Sequence, residues 1–493
     1  MKIDIENLDI KSAHKHLIDG DFSSQELTKE CLNVIKEKNK EINAYIEVFE
    51  KTALEQAKEA DRKIKEKNYT ELTGIPLAIK DNILIKGQKV SAGSKILENY
   101  VATYDSTAIK KLKDAGAIFL GRTNMDEFAM GVSTETSVYG ITRNPLDSER
   151  VPGGSSGGSA SAVAMNSCLG ALGSDTGGSI RQPSSFCGTV GLKPTYGSVS
   201  RSGLIALGSS LDVVGPIGKS VSDVEIIFNV IKGKDELDST TTENKEIHPV
   251  KSREAGISPK VKLFNRARVI GVPSFVNEID GLDNFTKNNF NESVKKLEEL
   301  GYKIKGINLP NIKYAVPAYY IILPAEASAN LARFDGVRYG LHKDGENGID
   351  DYFKTRGAGF GREVRRRIIL GTYVLSAGYY DAYYNKAQAV REFIKKDFEE
   401  AFKEVGAIIT PTTTGPAFKI GEKINDPIKM YLEDIFTGPA NHAGLPAISI
   451  PSNRKSDGSF DGGLPLGLQI IAPQMCEDVL FEISKKFLNE TEN

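Results

Sequence analysis

Two glycine–serine loops constrain this chain more than any other feature. The first is Pro152-Gly153-Gly154-Ser155-Ser156-Gly157-Gly158-Ser159, and the second is Asp175-Thr176-Gly177-Gly178-Ser179-Ile180-Arg181-Gln182-Pro183. Between them, residues 159–167 read as a small-residue helix and 168–173 as a strand. Glycine at such density lets backbone approach another group closely and adopt positive φ. Upstream, Gly74-Ile75-Pro76-Leu77-Ala78-Ile79-Lys80-Asp81-Asn82 places a lysine at the end of an apolar run whose residues 75–79 read as a buried strand. Two serines and one lysine can form a proton relay without histidine.

The rest of the chain supplies a frame for those loops. The first seventy residues read as helical. Ser23 and Glu26 have capping-box spacing ahead of Leu27, Cys31, Leu32, Ile35 and Ile42, and a charged helix follows at about 52–66. A helix at 107–115 and a strand at 117–121 precede the loops. Strands are expected at 269–273, 302–307, 407–411 and 447–451, and amphipathic helices at 284–300 and 379–402. The polar stretch 238–262 reads as an exposed connection. Alternation of strands and helices indicates an α/β fold built on one large sheet. Residues 1–70 are expected to pack as a helical segment on a domain spanning 71–493, within which 250–440 contains an accessory layer around a substrate pocket.

Composition removes several function classes. The 63 basic and 65 acidic side chains leave a net charge of −2, without the basic excess of a protein that grips nucleic acid alone. Cys31, Cys168, Cys187 and Cys476 are widely spread, and His14, His16, His248, His342 and His442 form no metal-ligand spacing. No metal site is expected. The N-terminus shows no apolar signal core and no run of 18 apolar residues occurs, so a cytoplasmic protein is expected.

The chemistry of the loops follows from what a serine nucleophile needs: a base, an oriented relay and donors for an oxyanion. Ser179 is the candidate nucleophile and Ser155 the relay. Lys80 is the candidate base, because burial in an apolar strand lowers a lysine pKa. Thr176, Gly177 and Gly178, with Ser179, offer consecutive backbone N–H groups as an oxyanion hole. Taken singly, each piece has a plainer reading: a flexible loop, a turn, or an ion pair between Lys80 and Asp81. The first loop lacks the lysine of a nucleotide-binding Walker loop.

In combination these residues resemble the amidase signature family, which uses a Ser–cis-Ser–Lys triad. The resemblance implies Lys80 as base, Ser155 as the serine at a cis peptide bond, Ser179 as acyl-enzyme nucleophile, and a large mixed central sheet covered by helices on both faces. Residues 121–131 and 190–197 are similar to further family segments. Residues 326–340, 365–372 and 379–384 are similar to the branch that hydrolyses glutamine within aspartyl/glutamyl-tRNA amidotransferases. That likeness implies a heterotrimer completed by B and C subunits, ammonia delivered to a partner, acylated tRNA held by that partner, and ATP with Mg2+ used there rather than by this chain. It implies Tyr319, Arg367 and Asp434 as holders of the free amino acid. Arginine suits an α-carboxylate and aspartate an α-ammonium. Val132 departs from the small residue usual after Gly131. The alternative is a stand-alone amidase acting on small or hydrophobic amides.

Overall fold

The computed structural model describes residues 3–242, 268–279, 281–424, 426–455 and 457–490. Of the expected connection at 238–262, residues 243–262 lie outside the described residues.

The strands are β1 (Tyr45–Val48), β2 (Pro76–Lys80), β3 (Ile118–Thr123), β4 (Gly170–Asp175), β5 (Val190–Lys193), β6 (Val213–Gly218), β7 (Val269–Pro273), β8 (Lys303–Ile307), β9 (Ala407–Pro411), β10 (Ala447–Pro451) and β11 (Gly467–Ile471). Among the described residues they form one 11-stranded sheet in the order β1-β3-β2-β4-β6-β5-β10-β11-β9-β7-β8. It is mixed: β2 runs parallel to β3 and β4, and β7 to β8 and β9, while β4–β6, β5–β10 and β10–β11 are antiparallel. Every residue of β2, β3, β4, β6, β9, β10 and β11 is buried. Both faces of the central sheet are therefore covered, which explains its unbroken apolar runs.

The covering helices are α1 (Ile10–Asp19), α2 (Ser24–Ile42), α3 (Glu50–Lys65), α4 (Thr107–Asp114), α5 (Gly157–Ala164), α6 (Arg181–Cys187), α7 (Val221–Ile231), α8 (Asn284–Glu299), α9 (Ala315–Asn330), α10 (Gly348–Gly359), α11 (Arg362–Val374), α12 (Lys386–Ala401), α13 (Pro427–Leu432), α14 (Gly438–His442) and α15 (Glu477–Leu488). The Ser23–Glu26 capping box forms: Ser23 Oγ accepts from the Glu26 N–H at 3.2 Å, and Glu26 Oε2 accepts from the Ser23 N–H at 2.8 Å. Helix α2 ends where Asn43 turns left-handed at φ 55°, a conformation asparagine tolerates. Its Leu27, Cys31 and Ile35 face the core.

Sequence and structure differ at three places. Residues 1–70 are not wholly helical: β1 adds an antiparallel edge strand beside β3. The helix expected at 379–402 opens as a π-helical turn at Tyr380–Asn385 before α12 begins. Strands β5, β6 and β11 had no counterpart in the sequence reading. Three strands of segment 250–440 join the central sheet, while α9 and α11 build a second apolar cluster with Met125, Phe128, Phe334 and Phe360. These two helices approach so closely that a side chain at Gly371 would strike the Pro324 carbonyl.

The arrangement fixes where chemistry can occur. Strands β2 and β4 are parallel neighbours, and Lys80 and Asp175 are their last residues. Loops leaving the carboxyl ends of adjacent parallel strands form the usual ligand crevice of such sheets.

Candidate active site

Lys80 is fully buried, as are Ser155 and Ser156, and Ser179 is 7% exposed. The lysine does not pair with Asp81. That carboxylate instead receives Arg122 Nη1 at 2.8 Å, Ser91 Oγ and the Gly93 N–H. Lys80 Nζ donates to Ser155 Oγ at 2.8 Å, Ser156 Oγ at 2.7 Å and Ser174 Oγ at 2.9 Å. Three neutral hydroxyls with no carboxylate in contact make a poor home for an ammonium. Burial pulls the Lys80 pKa down to about 7, against the more distant pull of Asp126, Asp175 and Asp212. A neutral amine there can accept a proton from Ser155 Oγ.

Ser155 and Ser179 come from the two glycine–serine loops, which are tied to each other. The Gly154–Ser155 peptide is cis. The Ser156 N–H donates to the Ser179 carbonyl at 3.1 Å, and Gln182 Oε1 receives the Gly154 N–H at 2.8 Å. Asp126 contributes from the loop after β3: its N–H meets the Ser155 carbonyl at 3.3 Å, and its carboxylate gathers the N–H groups of Ser133 and Thr134.

The stretch 176–179 is clamped from three sides. Thr176 Oγ1 donates to Asp212 at 2.7 Å. Thr437 Oγ1 donates to the Gly177 carbonyl at 2.6 Å. A Cβ at Gly177 would meet the Tyr319 ring at 2.6 Å, and one at Gly178, whose φ is +149°, would strike Thr437. Only glycine fits at either position. Beneath the stretch, the fully buried Arg181 binds Asp175 through Nε (3.1 Å) and Nη2 (3.0 Å), Gln469 through Nη1 (2.6 Å) and Asn441 through Nη2 (2.5 Å). Burial would raise the Asp175 pKa, but Arg181 outweighs it and holds the carboxylate down at about 2.

A second cluster of charge lies where α9, α11 and the segment before α14 meet. Of the three consecutive arginines in α11, Arg367 is the buried one, at 6% exposure. Its Nε donates to Glu363 at 2.7 Å, and its guanidinium sits 5.4 Å from the Tyr320 ring centroid. Tyr320 stacks on Tyr431 and donates its hydroxyl to Asp434 Oδ2 at 2.8 Å. Burial pushes the Asp434 pKa up to about 7, against the Tyr320 hydrogen bond and Arg367. Tyr319 meets Tyr320 edge-on, with centroids 5.0 Å apart, and covers Gly177. It therefore spans from the 176–179 stretch toward this charged cluster. Among the described residues no group of three or more His, Cys, Asp or Glu side chains could hold a metal ion.

The Amidase family model matches residues 26–481. The A subunit of glutamyl-tRNA(Gln) amidotransferase from Nostoc sp. is 49% identical over 484 residues, covering 98% of this chain and 97% of that one. Its counterpart from Thermodesulfovibrio yellowstonii is 50% identical, covering 96% and 95%. Among solved structures, the A subunit of the glutamyl-tRNA(Gln) amidotransferase of Thermotoga maritima superposes with a TM-score of 0.78 at 41% identity, covering 100% of this chain and 96% of that one. The peptide amidase of Stenotrophomonas maltophilia gives 0.79 at 27% identity, covering 99% and 98%. The chain belongs to the amidase family.

Several residues of this amidase site were not singled out from sequence. Ser156 and Ser174 complete the cage around Lys80. Ser156 sits one residue past a chosen serine, and Ser174 carries no motif signal. Arg181 had one: it follows Ser179 by two residues and heads a helix of otherwise neutral residues. Tyr320 is adjacent to the chosen Tyr319, and only the rotation of α9 reveals which ring reaches Asp434.

Arg181→Leu leaves Asp175 buried without its cation. Urea unfolding should show a loss of about 3–5 kcal/mol. A loss under about 1 kcal/mol would mean the pair does not organise this part of the amidase.

Proposed function

We propose that this chain is the glutamine-hydrolysing subunit of a tRNA-dependent amidotransferase. The observation that carries the reading is two buried groups of opposite charge type, Arg367 and Asp434, that both converge on Tyr320, next to Tyr319, which covers the 176–179 stretch. Free glutamine presents an α-carboxylate and an α-ammonium, and an uncharged amide presents neither. Relatives named as the A subunit of glutamyl-tRNA(Gln) amidotransferase, near 49% identity over almost the full length, support the amidotransferase part of the reading.

In this reading neutral Lys80 takes the proton of Ser155 as Ser155 takes that of Ser179. Ser179 Oγ attacks the side-chain amide carbon of glutamine. The N–H groups of residues 176–179 stabilise the oxyanion. The relay returns the proton to the departing nitrogen, ammonia leaves, and water then cleaves the glutamyl ester on Ser179. Arg367 binds the substrate carboxylate, Asp434 its ammonium, and Tyr319 lines the path between them and Ser179. Ammonia passes to a B subunit that activates Glu-tRNA(Gln), or Asp-tRNA(Asn), with ATP and Mg2+. A C subunit completes the heterotrimer. No helix among the described residues is long and apolar enough to cross a membrane, and the reading places the complex in the cytoplasm.

Ammonia release from glutamine and from an uncharged short-chain amide tests the assignment. Arg367→Ala should raise the glutamine KM by about 100-fold, the scale of a lost charge-assisted contact, and leave the KM of the uncharged amide nearly unchanged. Equal effects on both would remove the carboxylate role. The pH dependence gives a second test. Lys80 works deprotonated and Asp434 works as an anion, and both change state near pH 7. Below that pH, log kcat/KM should rise with a slope of about two for glutamine and about one for the uncharged amide. A profile flat from pH 5 to 8 for both substrates would contradict both assignments.

A further inference from the structure

Asp126 and Glu127 are consecutive, buried and aimed in different directions. Asp126 holds the catalytic side, through its N–H on the Ser155 carbonyl and its carboxylate on the 133–136 turn. Glu127 holds something else. Its carboxylate, 3% exposed as part of the residue, receives the Gly361 N–H at 3.1 Å on Oε1 and 3.0 Å on Oε2, and Ser94 Oγ at 2.5 Å on Oε1. Gly361 is the N-cap of α11 and has no side chain to cap the helix itself. Glu127 thus supplies from a distant loop the two acceptor oxygens that cap this helix N-terminus, although burial pushes its pKa up to about 7, against the Ser94 and Gly361 hydrogen bonds. A side chain at Gly361 would collide with Glu127 Oε2, so the glycine is what lets the carboxylate seat there.

The link is short and stiff. Phe128 and Ala129 follow with φ of 49° and 60°, a left-handed pair that side-chain-bearing residues adopt only when packing compels it. Phe128 packs on Phe334 and Phe360, the latter immediately before Gly361. Ser94 Oγ also lies 3.2 Å from the Gly359 carbonyl, so one hydroxyl and one carboxyl group touch both sides of the α10–α11 junction. Helix α11 carries Arg367 on its buried side and Arg365 on its first turns. Neither Glu127 nor Ser94 belongs to the serine–lysine relay.

We propose that Glu127 is a positioning residue for substrate recognition: it sets α11, and with it Arg367, at a fixed offset from the Ser155 loop. It governs how well glutamine binds without touching the reacting atoms. The inference rests on the glutamine reading above.

The test compares the full chain with Glu127→Ala and Glu127→Gln, reading ammonia release from glutamine and from an uncharged short-chain amide, with thermal melting alongside. Glu127→Ala should raise the glutamine KM about tenfold or more, as expected when a binding group is misplaced by a fraction of an ångström to an ångström, while kcat/KM for the uncharged amide stays within about threefold. Glu127→Gln keeps one acceptor oxygen for the Gly361 N–H and loses the other, and should fall between parent and Ala in glutamine KM. If the Ala variant does not fold, the Gln variant decides alone, with a glutamine KM raised about threefold and the uncharged amide unaffected. Parallel loss on both substrates, or an unchanged glutamine KM in a parent that prefers glutamine, overturns the clamp alone. A parent that does not prefer glutamine overturns the underlying reading, and the clamp with it.

Discussion

Everything at the centre of this molecule depends on one lysine held out of water without a counter-charge in contact. The Lys80 nitrogen lies within hydrogen-bond reach of three serine hydroxyls, and burial draws its pKa from the usual lysine value down to about 7. A buried ion would otherwise need a partner. The fold withholds that partner: Asp81, next in sequence, is turned away and bound by Arg122. Asp126, Asp175 and Asp212 act on Lys80 from further off, each engaged by other donors. Base strength and proton acceptance near neutral pH are thus properties of the packing, not of the lysine alone.

The surrounding layers keep the relay in register by tying distant parts of the chain together. Arg181 joins β4, α6, α14 and β11 through Asp175, Asn441 and Gln469. Thr437 and Tyr319 press on the two glycines of the 176–179 stretch. A second buried lysine, Lys193 on β5, is also drawn down to about 7 by burial and by Arg181. Its Nζ donates to the Pro194 carbonyl, and it faces no nucleophile among the described contacts. Lowered basicity alone does not mark a catalytic lysine. The hydroxyl cage is what sets Lys80, the proposed base, apart from Lys193.

Much of this was legible in the sequence, and the parts that were not share a cause. The strands at 269–273, 407–411 and 447–451 are legible to the residue, since each is a short apolar run closed by proline. The Ser23–Glu26 cap and the order of lysine and serines were equally local signals. Strand β1 was hidden because Tyr45-Ile46-Glu47-Val48 is only four residues between two helices, and its identity comes from pairing with β3. Strand β6, Val-Val-Gly-Pro-Ile-Gly, carries two glycines and a proline and becomes a strand through β4 and β5 beside it. The cage serines Ser156 and Ser174, the Asp126–Glu127 pair and the choice between Tyr319 and Tyr320 rest on long-range placement, which no window of sequence contains.

The most direct test of the account is the titration of Lys80 itself. In Ser179→Ala protein with ε-13C-labelled lysines, the resonance that disappears in an added Lys80→Met variant belongs to Lys80, which separates it from Lys193. The account requires that resonance to titrate near pH 7, in step with its burial among the serines. A midpoint near that of a solvated lysine, about 10.4, would mean that Lys80 stays charged at neutral pH and cannot be the base of the relay.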